Sequence, residues 1–105
     1  LNIDSAIPVS LIINELITNA FKYAFPDTKQ GTVTVRIKSV PENYLELSVH
    51  DNGIGLPDGF TIEESDTLGM QLIRGLTKQI RGKLYVRSDG GTDITITFPS
   101  KTNTR

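Results

Sequence analysis

Four stretches of the chain alternate apolar and polar residues, and no other feature constrains its fold as strongly. In GTVTVRIKSV, Val33, Val35 and Ile37 alternate with Thr34, Arg36 and Lys38. In YLELSVH, Leu45, Leu47 and Val49 alternate with Glu46, Ser48 and His50. KLYVRS (83–88) and TDITITF (92–98) repeat the pattern. A period of two specifies strands with one side on a core and the other in water. The short PEN link makes the first two strands an antiparallel pair, and Gly90 and Gly91 join the last two in a hairpin. The face carrying Thr34, Arg36, Lys38, Glu46, Ser48, Thr95 and Thr97 is expected to be wet.

Two other segments follow a helical period. PVSLIINELITNAFKYAF predicts a helix over 8–25, with Pro8 at its first position and Pro26 stopping it. Ile13, Leu16, Ile17, Ala20, Phe21 and Ala24 then share one face, and Glu15, Thr18, Asn19 and Lys22 share the other. GMQLIRGLTKQI predicts a second helix over 69–80, with Leu72, Ile73, Leu76 and Ile80 on one face and Gly82 ending it. Between the second strand and this helix, PDGFTIEESDTL (57–68) has no period and four acids, and is expected to be a surface loop. The order α, β, β, loop, α, β, β predicts an α/β (α+β) two-layer sandwich, with the helices on one face of a mixed, mostly antiparallel sheet.

A chain of 105 residues is long enough for one thin core, assigned to 1–100, followed by a flexible polar tail at 101–105. A net charge of −1 gives no global field to recruit DNA or an anionic membrane. The absence of cysteine excludes disulfides, thiolate metal sites and thiol nucleophiles. No apolar run has the length of a membrane span. The start at Leu1 rather than Met suggests a piece of a longer protein.

Four short segments carry the possible chemistry. Glu15 and Asn19 lie one helical turn apart, with Lys22 three residues on. They supply an acid, a neutral oxygen and a cation, a set suited to a Mg²⁺–phosphate group, although a solvated helix face also uses these residue types. Asn14 and Asn19 are poor helix formers for an interior position. DNGIGLP follows a strand end, where two glycines would let a flat ring approach the backbone and Asp51 could accept from an exocyclic amine. A tight turn would also use those residues. In TLGMQLI, Gly69 opens a helix whose free N–H groups could face an anion. GGT at 90–92 reads as a hairpin turn entering the last strand.

Taken together, in this order, the segments resemble the ATP-binding domain of sensor histidine kinases, within the kinase, gyrase, heat-shock-chaperone and mismatch-repair ATPase fold. NELITNAFKYAF resembles its asparagine box, DNGIGLP and LGMQLI its glycine boxes, and GGTDITITF its last segment. The surrounding text resembles kinases with an alternative dimerisation and phosphoacceptor region. The resemblance implies that Asn19 coordinates Mg²⁺, that Glu15 polarises the attacking group as the catalytic residue, and that Lys22 contacts phosphate. It implies that Asp51 reads the adenine amine, with Gly53, Ile54 and Gly55 passing the ring and Thr92 reaching the adenine end. Asn14, Tyr23, Leu68, Gly69 and Met70 join the nucleotide-binding set, and residues 57–68 form a short lid with Phe60 as its only aromatic.

The same resemblance implies ATP and Mg²⁺ as ligands and a cytoplasmic location. It implies dimerisation and phosphoacceptor helices of the parent protein and a downstream response regulator as partners, without nucleic acid or direct membrane contact. The sole histidine, His50, precedes Asp51 at a strand end and is expected to be structural or to flank the pocket, so the phosphoacceptor would lie outside this chain. Rival expectations are an ATPase or an anti-sigma-type serine kinase of the same fold, and a protein-binding module that takes no nucleotide.

Overall fold

The computed structural model describes residues 3–21, 31–53, 68–88 and 90–100. The first helix, α1, spans Ile3–Asn19 and continues through a π-helical turn at Ala20 and Phe21. It starts earlier than the sequence suggests, and Pro8 lies inside it rather than at its first position. Pro8 forfeits one early backbone hydrogen bond, and its ring is buried in return. The expected continuation of the helix to residue 25, together with Lys22 and Tyr23, lies outside the described residues.

Strands β1 (Val33–Val40) and β2 (Tyr44–Asp51) form a hairpin. Its turn places Glu42 (φ 68°) and Asn43 (φ 65°) in the left-handed region. Helix α2 (Leu68–Gln79) follows, then β3 (Lys83–Ser88) and β4 (Thr92–Pro99). The sheet order is β1-β2-β4-β3, and all three pairings are antiparallel. Both helices lie on one face, giving the expected two-layer sandwich.

Ile12 of α1, Ile73 of α2, and Leu47, Ile96 and Phe98 of the central strands form the centre of the core, each with no exposed surface. The buried stripe of α1 is Val9, Ile12, Leu16 and Ala20. It is rotated from the expected one, and Phe21 is exposed. On α2 the stripe is Met70, Ile73, Leu76 and Thr77, extended by Ile80, while Leu72 is exposed. In both helices the apolar set is wider than the stripe that reaches the sheet, so periodicity names the helix but leaves its rotation open.

The edge strand gives the clearest departure. Val35 and Ile37 pair with Val49 and Leu47 and so share their face, yet both are exposed. The helices pack over the central strands and β3, and of the apolar residues on β1's inner side only Val33 is packed against the core. At the end of α2, Gly82 N–H donates to the Thr77 carbonyl (2.8 Å) and Arg81 N–H to that of Lys78 (3.0 Å). This is a Schellman cap. Its left-handed residue is Arg81 (φ 60°), not Gly82. Gly82 sits in a tight space, since a Cβ there would lie 3.1 Å from both Ile96 Cγ2 and the Thr97 carbonyl oxygen.

Candidate functional site

Asp51 ends β2 on the helix side of the sheet and is buried. Alternation along β2 turns its side chain away from the open face, and the same alternation turns the half-buried His50 towards that face. His50 therefore does not share Asp51's surroundings. Asp51 Oδ1 accepts two backbone N–H groups, from Gly53 (2.9 Å) and from Thr92 (3.1 Å). The first closes a turn at the start of DNGIGLP, and the second ties that turn to the first residue of β4. Among the described residues, Oδ2 has no hydrogen-bond donor. A buried carboxylate oxygen without a donor carries a desolvation cost, so the geometry favours a ligand donor such as an exocyclic amine.

Two neighbours hold this loop. Asn52 Oδ1 accepts from Thr32 N–H (2.9 Å), and Asn52 N–H donates to the Thr32 carbonyl (3.3 Å). Gly91 is buried with φ 126°, and a Cβ there would collide with the Asp51 carbonyl oxygen and come within 2.8 Å of its carbon. Only glycine allows β4 to approach Asp51 this closely. The sequence marks Gly91 as a turn residue and gives no sign of this second role, because the contact joins positions forty residues apart.

A second cluster of candidate residues lies where α1 meets α2. Glu15 and Asn19 are half-buried and face the first turn of α2. A Cβ on Gly69 would collide with the Glu15 carboxylate and lie 3.3 Å from Asn19 Nδ2. The Asn19 amide nitrogen also points at Met70 Sδ, 3.9 Å away. That contact uses the Asn19 amide nitrogen, and its Oδ1 is a neutral oxygen of the kind a hard cation takes. Thus Glu15, Asn19, Gly69 and Met70 are brought together, while Asn14 lies on an exposed flank, where its carbonyl accepts the Thr18 hydroxyl (2.8 Å). Leu68 is exposed at the helix start. Ile54, Gly55, Lys22, Tyr23 and the segment 57–67 are outside the described residues.

No group of three or more His, Cys, Asp or Glu side chains able to hold a metal occurs among the described residues. One amide oxygen, on Asn19, near one carboxylate, on Glu15, fits a Mg²⁺ ion that would arrive on a polyphosphate and keep phosphate and water as its other ligands. Two depressions formed by described residues lie elsewhere. One is on the open sheet face, and the other lies between α1 and α2 beside Ile7, Leu11 and Leu76.

The chain is 39% identical over 103 residues to the sensor histidine kinase PdtaS of Mycobacterium tuberculosis (strain ATCC 25618 / H37Rv), covering 94% of this chain and 20% of that protein. It is 33% identical over 102 residues to the nitrate/nitrite sensor protein NarX of Escherichia coli (strain K12), covering 94% of this chain and 16% of that one. Among solved structures, it matches the histidine kinase domain from the Erythrobacter litoralis EL346 blue-light activated histidine kinase with a TM-score of 0.86 and 28% identity, covering 94% of this chain and 46% of that one. The chain thus spans about a fifth of the length of its PdtaS relatives. The family model for histidine kinase-, DNA gyrase B- and HSP90-like ATPases matches residues 4–102, and the chain belongs to that family.

Proposed function

We propose that this chain is the catalytic domain of a two-component sensor histidine kinase, binding Mg–ATP and passing the γ-phosphate to a histidine on dimerisation and phosphoacceptor helices of its parent. The observation that carries the reading is the half-used carboxylate of Asp51. One buried oxygen holds the loop, and the other has no donor among the described residues. An adenine amine would supply one. The family match and the named relatives support the same reading.

Each residue then has a distinct task. Asp51 accepts from the adenine amine, while Gly53, Ile54 and Gly55 leave room for the ring and Thr92 closes its end. Lys22 and Tyr23, with Asn14, Leu68, Gly69 and Met70, complete the nucleotide contacts. Asn19 offers its Oδ1 to Mg²⁺. When bound, the ion neutralises phosphate charge during transfer. Glu15 accepts the proton of the incoming imidazole and orients it. Residues 57–68 cover the nucleotide. The phosphate then moves to an aspartate of a response regulator in the cytoplasm. No described helix is long and apolar enough to cross a membrane.

The test supplies the parent's phosphoacceptor helices in trans with γ-labelled ATP. Acid-labile label on a histidine of those helices, lost with Glu15→Gln while ATP binding persists, is the expected result. Release of free phosphate with no labelled histidine would favour an ATPase instead.

A further inference from the structure

The face of the sheet turned away from the helices has an uneven profile. Its middle strands carry short side chains, Ser48 and Thr95, and its outer strands carry long ones, Arg36 across from Tyr85. The result is a trough of about 580 Å³ crossing the sheet from Lys38 and Glu46 to Asp93 and Arg87. Arg36 and Lys38 on β1 and Arg87 on β3 line it, and Lys83 lies on the same face of β3 just beyond it. Glu46 and Asp93 are the only carboxylates in the same rows, so the face carries four cations and two acids, and the trough itself three and two, within a chain of net charge −1. Among the described residues the one ion pair is Lys38–Glu46 (3.6 Å), and Arg36, Lys83 and Arg87 have no carboxylate within 4 Å. Tyr85 is 54% exposed in the centre of its wall.

We propose that this trough binds a carboxylate-rich segment of a partner polypeptide. The walls stand three strand spacings apart, roughly 14 Å, which is too far for one small anion to touch both. A chain bearing several acids reaches each side at once. The floor favours a polypeptide, since Glu46 and Asp93 can accept amide N–H groups, and the Ser48 and Thr95 hydroxyls can donate to carbonyls. A polynucleotide backbone has no N–H to offer these two acids and bears a phosphate at every residue, whereas a polypeptide can place its carboxylates at the walls and its amides on the floor. A second copy of this chain would bring the same positive surplus against itself.

The test titrates the full chain, isotopically labelled, with a peptide of alternating Glu and Ser about eight residues long, a length matched to the strands. The expected result is saturable amide shifts confined to Arg36, Ser48, Tyr85, Thr95 and their neighbours. Arg36→Glu with Arg87→Glu is expected to weaken the titration by about tenfold or more, as two lost charge-assisted contacts require. Arg36→Gln with Arg87→Gln, which removes charge without reversing it, is expected to give a smaller loss in the same direction. Absence of shifts, shifts on the helix side, equal shifts with oligouridylate, or a dimer in sedimentation of the free chain would each overturn the proposal.

Discussion

Gly69 and Glu15 compete for one space: the position a Cβ would take on Gly69 is already filled by the Glu15 carboxylate. The bare first turn of α2 therefore lets the helix-borne acid of α1 sit beside it. Since the obstructed group is the end of a flexible side chain, a methyl group there would displace the acid rather than unfold the protein.

Gly69→Ala is accordingly predicted to shift Tm by only a few degrees. Its better helix propensity, up to about 1 kcal/mol, offsets a displaced rotamer costing about 0.5–1.5 kcal/mol. Phosphotransfer is predicted to fall at least about tenfold, the equivalent of roughly 1.4 kcal/mol. Thermal melting and a labelled-ATP assay on the same sample check both halves. Loss of folding with normal transfer per folded molecule would contradict it.

The two glycines of the second hairpin are predicted to respond differently. Gly90 (φ 63°) has nothing within 4 Å of its missing Cβ, so Gly90→Ala should cost only the left-handed backbone term of about 1–2 kcal/mol. Gly91→Ala meets the Asp51 backbone at φ 126° and should cost more, with ATP affinity falling as well, because Asp51 must shift. Denaturant unfolding of the pair gives the ranking. Equal costs would show that the Gly91 contact is not holding the loop.

Phe98 is fully buried on β4 among residues from both helices and the central strands. Phe98→Ala is predicted to destabilise by about 3–5 kcal/mol through lost burial and the cavity left behind. Urea unfolding measures it, and a loss under about 1 kcal/mol would contradict the core described here.

Much of this architecture is legible in the chain, for reasons visible at particular residues. Leu45, Leu47 and Val49 alternate because β2 is central and covered on one face only, so the pattern reads directly as a strand. Val35 and Ile37 alternate in the same way yet are exposed, because periodicity reports two faces and not whether a helix reaches one of them. The start of α1 is hidden because Pro8 resembles a helix opener and is instead a buried interior residue. At the candidate site, the residue types of Glu15, Asn19 and Asp51 point to the proposed chemistry. Their supports are not local in sequence. The Met70 sulfur beside Asn19, the Thr92 N–H on Asp51, and Gly91 against the Asp51 backbone each join distant segments.

The most direct test of the account is a calorimetric titration of Mg–ATP into the wild-type chain and Asp51→Asn. Asparagine can keep an oxygen for the Gly53 and Thr92 N–H groups, while its amide nitrogen replaces the acceptor offered to adenine. The account predicts an unchanged fold and ATP affinity weakened by roughly 10- to 100-fold, the worth of a hydrogen bond to a charged group at about 1.5–3 kcal/mol. Equal affinity in the two proteins would contradict the assignment of Asp51 to the base.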